Sequence, residues 1–387
     1  MRLLIITPSF YPATYYGGPI YSTYELAKAL GKNDINVYVV TTNANGDKRL
    51  KIKTNTFLEV EKNLFIKYYG LASNKGFSPF MFLLLWNDFL NADLIYLVSI
   101  FSPPTLLALL LNIFFKKKII ISPRGQLGEW CLAQGNALKK LWLKIIITPF
   151  AKNLTWHATS SQEEEMIKKV YAEANIWVLP NGIDIDKFKD IKHKKDKLFY
   201  KKYSDKVNQN SKVIISMGRL QKVKGFDILI EAYKKVQAQV KDAILLIAGE
   251  DFGEKSNLLR LISSNNLSDK VFLVGHIEGE EKINFLKNAD VFALPSHHEN
   301  FGMVYAEALA AGTPVVASTN TPWQDVEKFN CGKWVENTSD KFAEATIEIL
   351  RSDPIQMGNN GREYVEDYFS WDKIAKSFIH QINMILN

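Results

Sequence analysis

The sequence predicts an α/β protein of two domains, each built on a parallel sheet. Short β-rich apolar runs alternate with helical patterns along the whole chain, the sequence form of stacked βαβ units around parallel sheets. The alternation is interrupted once, near the middle, and then restarts. A chain of 387 residues, 47% of them apolar and 23% charged, is long enough for two full-sized cores. The same composition excludes a disordered chain, a collagenous chain and a small disulfide-stapled scaffold.

The first run, Leu3–Thr7, lies in MRLLIITPSF, which has one basic residue and too short an apolar stretch for a signal peptide. It reads as a strand. Further strands are expected at Val37–Thr42, Leu94–Val98, Lys118–Ser122, Leu154–Ala158 and Ile176–Leu179. Helical patterns fall between them at Ile20–Gly31, Pro79–Leu90, Pro104–Phe115 and Ala137–Thr148. Leu94–Phe115 runs for 22 residues without a charge, the length of a membrane span. Pro103 and Pro104 divide it into a strand-length and a helix-length piece, so it reads as a buried βα unit. The lysine-rich stretch Lys187–Lys212 has no period and reads as a solvated loop or irregular helix at the domain junction. Beyond it the pattern resumes with Val213–Met217, Ala243–Ala248, Val271–Val274, Val291–Leu294 and Thr313–Ser318.

Cys131 and Cys331 stand 200 residues apart with no metal-ligand spacing around either, as in a reduced, cytoplasmic protein without structural zinc. The net charge of +7 is unevenly spread. Residues 1–180 hold 20 Lys and Arg against 12 Asp and Glu, whereas residues 213–387 carry 18 against 24. The basic half is therefore the one expected to meet an anionic partner. Basic residues at Lys116–Lys118, Lys139, Lys140, Lys144 and Lys152 lie near Phe114, Phe115, Trp142, Phe150 and the run Pro79–Trp86. That mixture suits peripheral attachment to an anionic membrane surface. Nucleic acid is not expected, because no helix-turn-helix, RRM-like or finger pattern is present.

The strongest chemical signal follows the strand ending at Leu294. Glu299 and Glu307 are eight apart, with Phe301-Gly302-Met303 between them. A helix starting near Gly302 would turn its free N–H groups toward the preceding loop and form an anion site. Glu307, a turn further on, could accept from a ribose diol, and Glu299 from hydroxyls beyond the phosphate. In SMGRLQKVKG, Gly218, Arg219 and Lys224 follow a strand and Gly225 opens a helix. Two cations at a strand's C-terminal end can neutralise a pyrophosphate leaving group in place of a metal. His297 and His298 are adjacent and make a poor metal pair, and His157 reads as a core histidine.

At these residues the chain resembles the retaining nucleotide-sugar glycosyltransferases of family 4, whose GT-B architecture implies two Rossmann-like, doubly wound domains facing across a cleft. The resemblance rests on G-R-L…K-G, on Glu299-x7-Glu307 with its Phe-Gly insert, and on LPNGID at Leu179–Asp184. It extends to Gly17-Gly18 and to the closing FSWDKIAKSF helix. It implies an acceptor domain of residues 1–183, with the helix 371–387 returning to it, and a donor domain of residues 184–370. It implies that Arg219 and Lys224 clamp the diphosphate, that Glu307 holds the ribose, and that Glu299 lies beside the transferred sugar. Gly18, Gly218, Phe301, Gly302 and Met303 would complete the donor site. Relatives often carry a histidine where this chain reads SPRGQLGEW; Arg124 there cannot act as a base, but it could hold an anionic acceptor or steady the departing phosphate. The implied reaction retains anomeric configuration by front-face attack, without cofactor or metal. UDP is the more frequent donor base, and the acceptor would be a glycan or lipid-linked oligosaccharide of a surface polysaccharide. A non-hydrolysing sugar-nucleotide epimerase also has two such domains but lacks this pattern of glutamates. A dehydrogenase would need a GxGxxG run after the first strand, which is absent.

Overall fold

The computed structural model describes residues 1–71, 78–133, 137–189 and 195–386. The chain forms two compact units, Met1–Gly182 with Trp371–Asn387, and Ile183–Ser370. The last residue of the helix expected at 371–387 and residues 190–194 of the lysine-rich stretch lie outside the described residues.

The strands of the first unit are β1 (Arg2–Ile6), β2 (Asn36–Thr42), the two-residue β3 (Ala44–Asn45) and β4 (Lys48–Arg49), β5 (Leu58–Glu61), β6 (Leu64–Tyr69), β7 (Leu94–Val98), β8 (Lys118–Ser122), β9 (Thr155–Ala158) and β10 (Asn175–Val178). Eight of them form one sheet in the order β10-β9-β8-β7-β1-β2-β6-β5. All neighbours run parallel except β5, which pairs antiparallel with β6. The helices are α1 (Gly18–Lys32), α2 (Pro79–Leu90), α3 (Pro103–Phe115), α4 (Glu129–Ala133), α5 (Ala137–Trp142) and α6 (Ser161–Val170). They begin where capping chemistry places them. Ser78, Ser102 and Ser160 each accept a backbone N–H of the first turn, and prolines open α2 and α3.

The second unit contains β11 (Lys212–Met217), β12 (Ala243–Ala248), β13 (Val271–Gly275), β14 (Val291–Leu294), β15 (Val315–Ser318) and β16 (Gly332–Val335). Its helices are α7 (Phe226–Gln239), α8 (Lys255–Ser264), α9 (Gly279–Lys287), α10 (Met303–Ala310), α11 (Asp325–Lys328), α12 (Ser339–Arg351) and α13 (Pro354–Phe369). The six-stranded sheet has the order β13-β12-β11-β14-β15-β16, parallel throughout. This is the doubly wound 3-2-1-4-5-6 order, with its reversal between β11 and β14. The last helix, α14 (Trp371–Leu386), belongs to the first unit. There Trp371 covers Gly182, where an added Cβ would lie 2.5 Å from the indole, and Phe378 packs beside Tyr96 and His157.

Several elements differ from the sequence expectation. The β5–β6 hairpin was not anticipated; Asn63, at a φ of 58°, turns the chain, and the alternation in Leu64–Tyr69 is weak because inward and outward residues are both apolar or aromatic. β16 was missed because Gly332 and Lys333 leave only Trp334 and Val335 as an apolar run. The helix expected over Ala137–Thr148 becomes α5 and a π-helical turn at Leu143–Ile147. The lysine-rich stretch is not simply solvated. Lys197 is buried, paired with Asp290 at 2.6 Å and donating to the Asn288 carbonyl at 2.8 Å. Asp290 also accepts the Val213 N–H at 2.7 Å, and the buried Tyr200 donates to the Phe285 carbonyl at 2.5 Å. The segment is thereby bolted to the sheet.

Removing one partner of such a pair leaves an uncompensated buried charge. Asp290→Ala is expected to cost about 3–5 kcal/mol in denaturant unfolding. Adding Lys197→Met to that variant should recover most of the loss.

Candidate functional site

The candidate site of the second unit lies at the C-terminal ends of β11 and β14, the two strands flanking the reversal of strand order. The connections from these strands leave toward opposite faces and open a crevice between them. On one side the chain after β11 passes through Gly218 and Arg219, forms a 3-10 turn at Lys222–Lys224, and enters α7 through Gly225. On the other side Ser296–Gly302 leads into α10. The His297 N–H donates to the Val223 carbonyl at 2.8 Å and ties the two connections together. Gly225 makes the approach possible: its φ is +66°, and a Cβ there would lie 2.1 Å from the Pro295 carbonyl oxygen.

Of the side chains singled out in the sequence, Lys224 and Glu299 meet here. The Lys224 ammonium bonds Glu299 Oε1, and the Ser296 hydroxyl donates to the same oxygen at 2.9 Å. The Gly218 Cα stands against the Lys224 stem, where an added Cβ would be 3.3 Å from Cε. Arg219 is exposed and its guanidinium lies 5.2 Å from the Phe252 ring centroid. Gly302 precedes α10 at a φ of +79°, leaving the first N–H groups of the helix turned toward the loop. Met303 is the first residue of that helix and is half-buried. Phe301 offers its backbone only. Its ring is buried between Trp323 and Phe369, and its carbonyl accepts from Trp323 Nε1 at 2.6 Å.

Glu307 lies one helical turn beyond and is paired through Oε1 with Lys282 of α9 at 2.6 Å. Sequence reasoning missed both Lys282 and Ser296. The serine follows the strand directly and could have been found by its place; the lysine comes from another helix, 25 positions away.

In the first unit Gly18 opens α1, and an added Cβ there would meet nothing within 4 Å. Arg124 follows β8 and contacts Asn181 and Tyr96. His157 is a satisfied core residue: Nε2 bonds the Leu179 carbonyl and Nδ1 the Tyr96 hydroxyl, both at 2.8 Å. A carbonyl only accepts, so Nε2 carries a proton, and the lowered pKa leaves Nδ1 without one. Burial first, and the Arg124 charge second, push its pKa down to about 3. His297 Nδ1 lies 3.4 Å from the Asn337 amide.

Residues 200–364 match the family described as Glycosyl transferases group 1, and residues 16–187 the one described as Glycosyltransferase Family 4. A GDP-mannose-dependent monoacylated alpha-(1-6)-phosphatidylinositol monomannoside mannosyltransferase of Corynebacterium glutamicum is 31% identical over 268 residues, 66% of this chain and 67% of its own. The chain belongs to the family 4 GT-B glycosyltransferases. An uncharacterized glycosyltransferase of Methanocaldococcus jannaschii aligns over 99% of both chains at 22% identity. Among solved structures, Anabaena HepE in complex with UDP and glucose superimposes with a TM-score of 0.75 at 16% identity, over 99% of this chain and 100% of its own. Sucrose-phosphate synthase of Thermosynechococcus elongatus gives 0.74 at 20%, over 100% and 99%. At such identities these two likenesses show the fold. The glycosyltransferase is a transferase enzyme that uses a nucleotide-sugar donor.

The neutral His157 has a pH consequence. Unfolded, the imidazole takes up a proton below its ordinary pKa of 6.5; folded, it resists protonation down to about 3. Its contribution to stability is therefore complete above pH 6.5 and is lost as pH falls toward 3, at up to about 1.4 kcal/mol per pH unit. Unfolding free energies of the glycosyltransferase and of His157→Gln, compared between pH 7 and 5, should show a flatter slope in the variant.

Proposed function

We propose that this glycosyltransferase is a retaining hexosyltransferase that moves a sugar from UDP to a glycan or lipid-linked oligosaccharide in surface-polysaccharide synthesis. The observation that carries the donor side is the pairing of Lys224 with Glu299 across the two connections, beside the glycine-opened N-terminus of α10. Arg219 and Lys224 clamp the diphosphate with the backbone amides of Gly302 and Met303, while Gly218 and Phe301 contribute backbone at the donor. Glu307, held at Oε1 by Lys282, keeps its second oxygen for the ribose diol. Glu299, held by Lys224 and Ser296, receives hydroxyls of the transferred sugar. Arg124 is an acceptor-side residue.

In this reading the acceptor hydroxyl attacks the anomeric carbon from the face the diphosphate leaves. The new C–O bond forms as the bond to phosphate breaks, and the acceptor proton passes to a phosphate oxygen of the departing diphosphate. The protein's share is charge stabilisation by Arg219, Lys224 and the helix terminus. No divalent metal is required, and EDTA is expected to leave transfer unchanged.

A GDP-sugar is the second reading, favoured by the GDP-mannose dependence of the Corynebacterium glutamicum relative. A thermal-shift panel of UDP, GDP, ADP and CMP separates the two, because the nucleotide that binds the native state raises its midpoint. UDP should give the largest shift; a larger shift with GDP would replace the first reading by the second. Arg219→Ala and Lys224→Ala should each lower kcat/KM about tenfold or more. Glu307→Ala should mainly weaken nucleotide binding and Glu299→Ala mainly turnover. Near wild-type transfer in both cation variants would remove the clamp.

The enzyme is further proposed to work peripherally on the inner face of the cytoplasmic membrane. No helix among the described residues is long and apolar enough to cross one. What supports attachment is apolar surface on three helical segments of the first unit, including Leu83 at 63% exposure, Phe114 at 79% and Leu138 at 68%. Phe82, Trp86, Ile113, Leu141 and Ile145 are also exposed. Not every nearby lysine is available. Lys117 donates to the Leu90 and Ala92 carbonyls, Lys139 to the Cys131 carbonyl, and Lys152 pairs with Glu173. Lys116, Lys118, Lys140 and Lys144 are exposed and lie near these apolar residues in sequence, each contributing up to about 1 kcal/mol at an anionic leaflet. Co-sedimentation with anionic vesicles should weaken as salt rises and on charge reversal at these four positions. Equal binding to neutral vesicles would overturn the attachment.

A further inference from the structure

Arg124 follows β8 at its C-terminal end, in a polar cluster of the first unit. It holds a φ of 54°, unusual for a residue with a side chain. Its guanidinium carries five N–H donors. Nη1 donates to Asn181 Oδ1 at 2.6 Å and Nη2 to the Tyr96 hydroxyl at 3.0 Å. Nε is shielded from solvent and meets no acceptor among the described residues. Both partners are neutral. An arginine that merely ties two turns together is best served by a carboxylate, because a half-buried cation without a counter-charge is costly.

The buried carboxylate in this cluster is committed elsewhere. Glu163 accepts the Gly125 N–H at 2.6 Å through Oε1, and the Thr159 N–H and hydroxyl at 2.7 and 2.8 Å through Oε2. It fixes the backbone of the Pro123-Arg124-Gly125 turn, not the guanidinium. Behind Arg124 the direction of hydrogen bonding is set. His157 Nε2 donates to the Leu179 carbonyl, so Nδ1 must accept from the Tyr96 hydroxyl, which then offers its lone pairs to Arg124. Asn181 reaches the other guanidinium nitrogen from the LPNGID turn. The result is a cation of fixed orientation with spare donors, at the strand ends where ligands of open α/β sheets bind.

We propose that Arg124, oriented by Tyr96 and Asn181, is an oxyanion-binding site that takes a phosphate or carboxylate group of a substrate. Tyr96 touches no substrate; it and His157 are positioning residues. The inference deepens the acceptor-side reading of Arg124 and rests on it only for the source of the anion. The same chemistry could be presented by an anionic acceptor or by the diphosphate of the donor, and the two sources are separable.

The test uses the full chain and inorganic pyrophosphate as probe, titrated calorimetrically in an Arg219→Ala/Lys224→Ala background that disables the donor clamp. Adding Arg124→Met should weaken pyrophosphate binding at least tenfold. Arg124→Lys, which keeps the charge but loses the fork, should give an intermediate value; Tyr96→Phe, which lowers the melting temperature by leaving the buried His157 Nδ1 without its donor, should weaken binding several-fold in protein still folded at the assay temperature. UDP affinity is then measured in Arg124→Met alone. A tenfold fall identifies the donor diphosphate as the anion; unchanged UDP affinity with lost pyrophosphate binding identifies the acceptor. Pyrophosphate and UDP affinities that are both indifferent to Arg124→Met and Arg124→Lys in folded protein would overturn the proposal. Failure of the donor clamp reads out separately, as UDP binding that survives Arg219→Ala/Lys224→Ala.

Discussion

The reversal of strand order between β11 and β14 is the constraint on which the second unit's chemistry depends. The chain winds from β11 outward through β12 and β13, then returns to place β14 on the other side of β11. The connections leaving β11 and β14 therefore diverge, and no crossover helix covers their C-terminal ends. That uncovered edge is where Lys222–Lys224 and Ser296–Gly302 face each other. Only a glycine at position 225 lets them come as close as the His297 N–H and Val223 carbonyl require. Phe301, Trp323 and Phe369 then lock the loop from beneath, so the polar groups above need not hold it.

Charge is handled differently in the two units. At the crevice each glutamate is met by a lysine, Glu299 by Lys224 and Glu307 by Lys282. These pairs are half-buried, where a carboxylate left alone would be costly and mobile. The pairing fixes one oxygen of each carboxylate, which suits groups that must recognise hydroxyls without reorganising. In the first unit the cation Arg124 is held by neutral partners, and the histidine behind it is kept uncharged by burial. A protonated His157 would repel Arg124 and break the bond from Tyr96, so the neutral ring is a condition of the arginine's placement.

The exposed apolar surface of the first unit has its own physical origin. α2 and α3 are apolar nearly all round, which in a sequence reads as burial. Buried residues of α3 include Thr105, Ala108 and Leu109, and those of α2 Met81, Leu85 and Phe89. The opposite faces retain Leu83, Ile113 and Phe114 in solvent. Composition could not distinguish a helix with two apolar faces in a core from one with a face left over.

Local signals carried the fold class. Capping serines, prolines at helix starts, and apolar runs of strand length act within a few residues of themselves, so Leu94–Val98, Lys118–Ser122 and Ala243–Ala248 were readable to the residue. So were the glutamates about Phe301-Gly302-Met303, because one loop and one helical turn set their spacing. β5, β6 and β16 were not, since neither weak alternation nor a strand broken by Gly332 leaves a period. Tertiary structure alone decided which charges meet. Lys224 and Glu299 are 75 positions apart, and Tyr96, Arg124, His157 and Asn181 come from two strands, the end of a third and a turn. Their contacts depend on strand order, which no local spacing encodes. The lysine-rich stretch shows the same limit: Lys197 looks solvated by its neighbours in sequence and is buried because Asp290, 93 positions later, lies against it in space.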